Sequence, residues 1–273
     1  MDNADLPELL ISSGAVLLTL QHGVAHLHLN RPDAANGLDI PTLHDLNAAL
    51  LRCHGERRAR VVLLTGAGAN FCAGGDVHTF AGKGDELPEY IRQATVLLQA
   101  AISAMIHLDA PVIAAVQGFA AGGGGMGLVC AADVVLAAES AKFLAGATRV
   151  AMAPDAGLSV TLPRLVGPRK ATEMLLMNPV IKAPEALSLG LISQIVGDGE
   201  LLNAAKAYAR QMAAGAPRAL AATKRLLWAG VGLGVDAAMP EESRTVAALC
   251  RTRDVREGLA AVIEKRPAQF EGH

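Results

Sequence analysis

This chain of 273 residues has few aromatics, few charges and few cysteines. Phe, Trp and Tyr make up 3% of it, and Asp, Glu, Lys and Arg 18%, against about 25% charge in an ordinary soluble domain. The net charge is −2 and no long basic run occurs. The chain therefore lacks both the cationic stripe and the stacking rings that nucleic-acid binding calls for. Cys53, Cys72, Cys130 and Cys250 are scattered, with no C-x-x-C pair. That argues against a zinc knuckle or a disulfide framework and for a reduced, cytoplasmic setting. The first residues contain neither the basic region nor the apolar core of a signal peptide. Low charge does not imply disorder here, because 52% of the residues are hydrophobic.

What the chain has in abundance is alanine and glycine, 52 and 28 residues. Cores built from such residues bring backbones close together, and the scarcity of charge hints at surface covered in an oligomer. The length suits one large domain, or one domain with a small appendage. The run Ala110 to Ala132 holds 23 residues without a charge, long enough to span a bilayer. Six glycines and Gln117 interrupt it, and Asp109 and Asp133 flank it where a membrane span would carry basic residues. A buried strand, a glycine loop and a buried helix fit it better.

Periodicity organises the rest. Val24 to Asn30 alternates as a strand, with His26 and His28 on one face. Ile40 to Arg57 has helical spacing. Arg60 to Thr65 and Pro111 to Val116 are short apolar runs that read as buried strands, with a long amphipathic helix, Leu87 to Leu108, between them. Gly122 to Ala132 reads as a loop turning into a helix, and Asp133 to Ala137 as another strand. A helix through Leu176, a short one over Glu185 to Leu189 and a strand over Leu191 to Val196 follow. Helices are then expected over roughly 200–214, 217–230, 235–250 and 253–265. The expectation is an α/β core over residues 1–198 and a helical region over 199–273.

Three constellations could carry chemistry. Asn70-Phe-Cys-Ala-Gly-Gly-Asp76 follows a buried strand. Gly74 and Gly75 could expose backbone N–H groups to an anion or a polarised carbonyl, or could simply form a turn capped by Asp76. Gly118 to Gly127 follows a second buried strand and opens a helix, where free N–H groups meet the positive end of the dipole. It lacks the later acidic residue of a dinucleotide loop. Two converging N–H donors are what an oxyanion hole needs. Ala153-Pro-Asp155-Ala-Gly157 is either a turn or an acid in apolar surroundings, whose pKa would be raised for proton transfer. His26 and His28 could form a metal pair, but histidines so placed are usually solvent-facing and no carboxylate is near in sequence. No metal site is expected. His78 reads as a loop residue. Lys224 and Arg225 read as a solvated basic face able to meet a phosphate, and Phe270 as an anchor for the tail.

Together these pieces resemble the crotonase superfamily, the enoyl-CoA hydratase/isomerase family. The resemblance is carried by Leu29-Asn-Arg-Pro32 with Asn36, Leu64-Thr-Gly-Ala-Gly68, Phe71 to Asp76, Ala115-Val-Gln-Gly118 with the glycine run, and Ala132-Asp133. Ser140 to Phe143, Leu162 to Gly167, Ala186 to Gly190 and Ala222 to Leu226 extend it to roughly residues 12–270. The resemblance implies a spiral of ββα units with a C-terminal helical region that makes homotrimers, often paired into hexamers. It implies an acyl-CoA thioester as ligand and no cofactor beyond the coenzyme A of that substrate. The oxyanion donors would be the N–H groups of Gly75 and Gly124, with Gly123 and Gly125 as alternatives because the glycine loop is one residue longer than usual. CoA would lie against Arg31, Ala34, Ala35 and Asn36 and against Ala73, Gly74, Gly75, Asp76 and Val77. Lys224 and Phe270 would approach the CoA of a neighbouring subunit, and Val77 to Glu86 would shape the acyl pocket.

Two departures matter. The positions of the two water-activating glutamates of the family's hydratases are Gly127 and Ala147 in this chain, and neither can transfer a proton. Asp155 matches the catalytic aspartate of the phenylacetate-pathway isomerase branch and of dienoyl-CoA isomerases. The same position is the nucleophile of aryl-CoA dehalogenases, but those carry a Trp where this chain has Ala147. The expectation is therefore an enoyl-CoA isomerase using Asp155. The alternatives are a hydratase with atypical acid–base residues and a non-catalytic acyl-CoA-binding protein.

Overall fold

The computed structural model describes residues 6–273. The chain folds as a mixed α/β structure with a helical C-terminal region. The main sheet has seven strands in the order β1-β2-β3-β4-β5-β7-β10. β1 (Glu8–Ile11), β2 (Val16–Gln21) and β3 (Val24–Leu29) form antiparallel hairpins. β3, β4 (Val61–Gly66), β5 (Val112–Val116), β7 (Val134–Ala138) and β10 (Gln194–Val196) then run parallel. β4 and β5 are buried at every position, as strands covered on both faces should be.

After each central strand the chain makes a second, shorter extended stretch, and these stretches stack beside one another. Leu38 bridges Gly75, and Cys72 bridges Ala120. β6 (Phe119–Ala121) pairs with β8 (Lys142–Leu144), which pairs with β9 (Ile181–Lys182). Each round of the chain thus adds one strand to the main sheet and one step to a second layer. That is the spiral of ββα units the family resemblance implies.

Helices close the rounds. α1 (Ile40–Gly55) starts where the Asp39 side chain accepts from the Thr42 amide, a side-chain cap for an otherwise free N–H. It packs on α3 (Leu87–His107). α4 (Gly122–Ala131) is buried from Gly124 onward, so it shows no polar face. The uncharged stretch from Ala110 is therefore β5, β6 and α4. No helix among the described residues is long and apolar enough to cross a membrane. α8 (Leu201–Ala213) lies across the other face of β4 and β5 on Ala205, Ala209 and Ala213, whose four-residue spacing puts three small side chains on one stripe. α9 (Pro217–Gly230), α10 (Val235–Leu249) and α11 (Arg253–Glu264) complete the C-terminal region.

Two local readings need correction. The glycine run is helical from Gly122, with no loop before it, because α4 is seated against the backbone at Gly74. The expected helix through Leu176 is α6 (Pro168–Met177), set off from α5 (Leu158–Val166) where Gly167 adopts φ 81. Of the apolar run Leu191 to Val196, only Gln194–Val196 is a strand. α2 (Val77–Ala81), capped by the Asp76 side chain, and α7 (Ala183–Ser188) are the remaining helices.

Candidate active site

The site forms where the stretch after β4 meets the start of α4, beyond the carboxyl ends of the parallel strands. The two glycine segments touch. A Cβ at Gly124 would lie 3.2 Å from the Gly74 Cα, and one at Gly74 would lie 2.6 Å from the Ala121 carbonyl oxygen. Side chains at these positions would force the segments apart.

Backbone N–H groups are left over at this junction. Around Gly75, the Leu38 amide donates to the Gly74 carbonyl and the Asp76 amide to the Leu38 carbonyl. The Gly75 amide enters neither bond and no side chain caps it. In α4 the Ala121 N-cap has no side-chain acceptor, so the first-turn amides of Gly122, Gly123 and Gly124 have no intrahelical partner. Gly125 is the first residue whose amide meets a helical carbonyl, that of the N-cap. By helix geometry Gly123 and Gly124 thus have amides without a helical partner, whereas the Gly125 amide has one.

Asp155 reaches the same turn. A Cβ at Gly123 would coincide with the Asp155 carboxylate. Burial pushes this carboxyl above the usual aspartate range, opposed only by a hydrogen bond within the residue; no Lys, Arg or His offsets it. Ala156 and Gly157 follow in left-handed conformation, φ 52 and 76. The Ala156 methyl then fills the space beside Gly127, where a Cβ would lie 2.5 Å from it. Gly127 thus has no room for an acidic side chain. Ala147 begins a short 3-10 turn over Ala147–Val150 and brings no acid either.

The remaining predicted residues divide into those near this junction and those elsewhere. Ala73 is exposed, Gly74 buried, and Gly75 and Asp76 half-buried, with Val77 exposed at the start of α2. His78 is also exposed, but on that helix and not in a loop. Arg31 is held internally. Its guanidinium lies 3.2 Å from both Asp39 and Asp76 and donates to the Gly37 carbonyl at 2.6 Å. Asp76, in turn, is desolvated, yet the Thr79 amide and Arg31 hold its pKa below the usual range. Ala34 and Ala35 are half-buried on the loop after Arg31. Asn36 is only 1% exposed. Its side chain accepts from the Arg31 amide and donates to the Ala67 and Asn70 carbonyls, so it ties loops together and presents no side chain to a ligand.

Two predicted surroundings are overturned. Lys224 is not solvated. Its ammonium pairs with Asp133 at 2.8 Å and donates to the Met105 carbonyl at 2.7 Å, with 4% of the side chain exposed. Burial lowers its pKa against the pull of Asp133. Nothing is left over for a phosphate. Its neighbour Arg225 pairs with Glu241 at 2.8 Å. His26 and His28 are not simply solvent-facing either. Both are half-buried and share the Thr65 hydroxyl, at 2.8 and 2.6 Å. Burial, with the charges of His28 and Lys206, pushes His26 down to about 4. Among the described residues no group of three or more His, Cys, Asp or Glu could hold a metal ion. Phe270 lies against α11, where a Cβ at Gly258 would meet its ring at 3.4 Å. It anchors the tail within this chain.

A cleft of about 1050 Å³ lies at the opposite ends of the strands, bounded by Arg57, Arg60, Ala110, Arg210 and Arg218. It holds none of the predicted catalytic or CoA-binding residues. Cys72, close to the glycine junction, is pushed up to about 12 by burial, which leaves it a thiol and no nucleophile. Sequence reasoning missed Asn178. It is 3% exposed and accepts from the Gly146 amide at 2.6 Å. Its only sequence signal is an Asn before a Pro, a turn mark.

Comparison with known proteins agrees with this architecture. The sequence profile described as enoyl-CoA hydratase/isomerase matches residues 19–273. A probable enoyl-CoA hydratase of Rhodobacter capsulatus is 41% identical over 254 residues, covering 93% of this chain and 96% of that protein. An (E)-benzylidenesuccinyl-CoA hydratase of Thauera aromatica is 35% identical, covering 94% and 99%. Among solved structures, a putative enoyl-CoA hydratase from Streptomyces coelicolor A3(2) superposes with a TM-score of 0.91 at 34% identity, covering 96% of both chains.

Proposed function

Because this chain belongs to the enoyl-CoA hydratase/isomerase family, whose enzymes process acyl-CoA thioesters, we propose that it is an enoyl-CoA isomerase that moves a double bond along the acyl chain. The observation that carries this reading is Asp155, a desolvated carboxylate without a charged partner, lying on the first turn of α4 beside the free amides of Gly123 and Gly124. In this reading the thioester carbonyl accepts from the Gly75 and Gly124 amides. Asp155 takes a proton from the acyl chain, the electron pair moves into the carbonyl, and the enolate oxygen is held by the two donors. The protonated Asp155 then returns the proton at the other end of the allylic system. Acid and base are the same group, so no water or second carboxylate is needed. Each oxyanion donor would supply about 3 kcal/mol in the transition state. The raised pKa suits a group that must both accept and release a proton near neutrality.

Coenzyme A enters only as part of the substrate, with its pantetheine and adenosine parts against the Arg31–Asn36 and Ala73–Val77 loops. The helical region 199–273 serves assembly into a homotrimer or hexamer, in the cytoplasm.

A second reading, hydration of a 2-enoyl thioester, is favoured by the hydratase names of the relatives. Opposing it are Gly127 and Ala147, where the family's hydratases place their glutamates. The test is to give purified protein 3-enoyl-CoA and 2-enoyl-CoA separately. Conjugated product from the first, abolished by Asp155→Ala, is the expected result. Loss of conjugated absorbance from the second, with the first untouched, would favour the hydratase. Tight acyl-CoA binding without turnover of either would mark a binding protein.

A further inference from the structure

Asn178 has no part in the chemistry above, yet it fastens the segment that delivers Asp155. It follows α6 in left-handed conformation, φ 50, a region Asn tolerates better than most residues. Its Oδ1 accepts from the Gly146 amide at 2.6 Å, and its Nδ2 donates to the Thr148 hydroxyl. Its own carbonyl accepts from the Arg149 guanidinium at 2.6 Å. The Thr148 hydroxyl donates onward to the Leu175 carbonyl of α6 at 3.3 Å.

The segment needs holding. Between Gly146 and Gly157 two alanines, Ala151 and Ala156, have φ 56 and 52, which costs roughly 1–2 kcal/mol for each residue with a Cβ. The segment is seated on the first turn of α4 at both ends. A Cβ at Gly146 would lie 3.8 Å from the Gly122 amide nitrogen, and Asp155 lies on Gly123. Arg149 is the only other charged residue between Gly146 and Asp155. It is turned onto the Asn178 carbonyl, and no charged group contributes to the shift at Asp155.

We propose that Asn178 is a positioning residue for the reaction: by clamping Gly146, Thr148 and Arg149 it holds the Asp155 carboxylate over the amides that open α4. This rests on the reading of Asp155 as the acid and base. Asn178→Gly removes the side-chain bonds to Gly146 and Thr148 while suiting the backbone and keeping the carbonyl that holds Arg149, and Asn178→Asp keeps the acceptor for the Gly146 amide. Two measurements are made on the full chain: kcat and KM with 3-enoyl-CoA, and the Asp155 titration by carboxyl 13C NMR without substrate. In Asn178→Gly, kcat is expected to fall roughly 30-fold while KM changes less than about 3-fold. Asp155 should titrate lower, because the loosened segment admits water, and Asn178→Asp should recover part of both effects. Wild-type kcat, or an unmoved Asp155 titration, in Asn178→Gly would overturn the proposal. If the wild-type protein turns over no enoyl-CoA, the isomerase reading fails, while the titration still supports or overturns the clamp. If Asn178→Gly does not fold, Thr148→Val replaces it, with the same titration deciding.

Discussion

The carboxylate of Asp155 occupies the space that a side chain on Gly123 would need. The Asp155 carboxylate and the amides it would work beside are therefore set by one contact. Glycine at 123 serves two ends: it leaves the amide uncovered and it admits the carboxylate.

Gly123→Ala separates these roles. Alanine favours a helix over glycine by up to about 1 kcal/mol, so the fold should tolerate it once Asp155 swings away. A displacement of about 1 Å can cost about 10²-fold in rate. The expected outcome is a kcat with 3-enoyl-CoA lower by about that factor, with an unfolding midpoint near wild type. A wild-type kcat would mean that Asp155 does not act from this position.

Restoring the missing glutamate should not make a hydratase. In Gly127→Glu the new Cβ would meet the Ala156 methyl at 2.5 Å and the Ile102 Cδ1 at 3.4 Å, and a charge would enter the buried α4. Overpacking alone costs about 1–3 kcal/mol, and an unpaired buried charge adds to it. Urea unfolding should show a loss of at least that size, or no soluble protein, and 2-enoyl-CoA should not be hydrated. A stable variant that gained hydration would show that Ala156 yields readily.

Much of this was legible in the sequence, and the failures share a cause. Period and punctuation sufficed for α1, β4, α3 and β5, because their burial follows their own pattern. His26 and His28 looked solvent-facing because alternation marks a face without saying what covers it; Thr65 and the overlying α8 came from elsewhere in the chain. Lys224 looked like half of a basic face, but its partner Asp133 lies far away in sequence, at the mouth of β7. Asn178 was invisible for the same reason, since its partners Gly146 and Thr148 sit on another turn of the spiral. The glycine run reads as beginning in a loop, since glycine disfavours helices. Tertiary packing against Gly74 overrides that preference.

Asp155→Asn trades function for stability. The folded pKa of Asp155 is raised above its unfolded value, so the folded state binds this proton more tightly. Its ionisation costs stability as pH rises through the window between the unfolded and the raised folded value. Removing the charge should raise the unfolding midpoint at pH 7.5 and make no difference at pH 3. Isomerisation should fall by about 10²–10⁴-fold, the usual worth of a general acid–base group. Thermal melts at the two pH values, run beside the kinetics, check both halves.

Lys224→Met tests whether this lysine is structural. It leaves the half-buried Asp133 without its cation, and breaking a fully buried pair costs about 3–5 kcal/mol, the upper bound here. Adding Asp133→Asn should recover part of that loss in urea unfolding, whereas a mere surface cation would give a change within about 0.5 kcal/mol. In the protein that remains folded, the KM for an acyl-CoA should stay at the wild-type value, since the ammonium is spent on Asp133 and the Met105 carbonyl.

His26 should govern part of the acid stability. Its folded pKa is about 4, below the ordinary histidine value of 6.5, because burial disfavours the charged ring. Between these values the unfolded chain binds a proton that the folded chain refuses. The stability contributed is therefore complete above pH 6.5 and is lost as pH falls toward 4. The shift corresponds to something on the order of 3 kcal/mol across that window. The two imidazoles share one Thr65 hydroxyl, which has a single proton to donate and two lone pairs to accept with, so at most one ring can accept from it. Protonating both leaves neither ring able to accept that proton and sets two cations side by side. His26→Gln keeps a polar partner for Thr65 and removes the titration. Urea unfolding at pH 7.5 and pH 5 should show a smaller loss of stability in this variant than in wild type, and equal losses would place the acid sensitivity elsewhere.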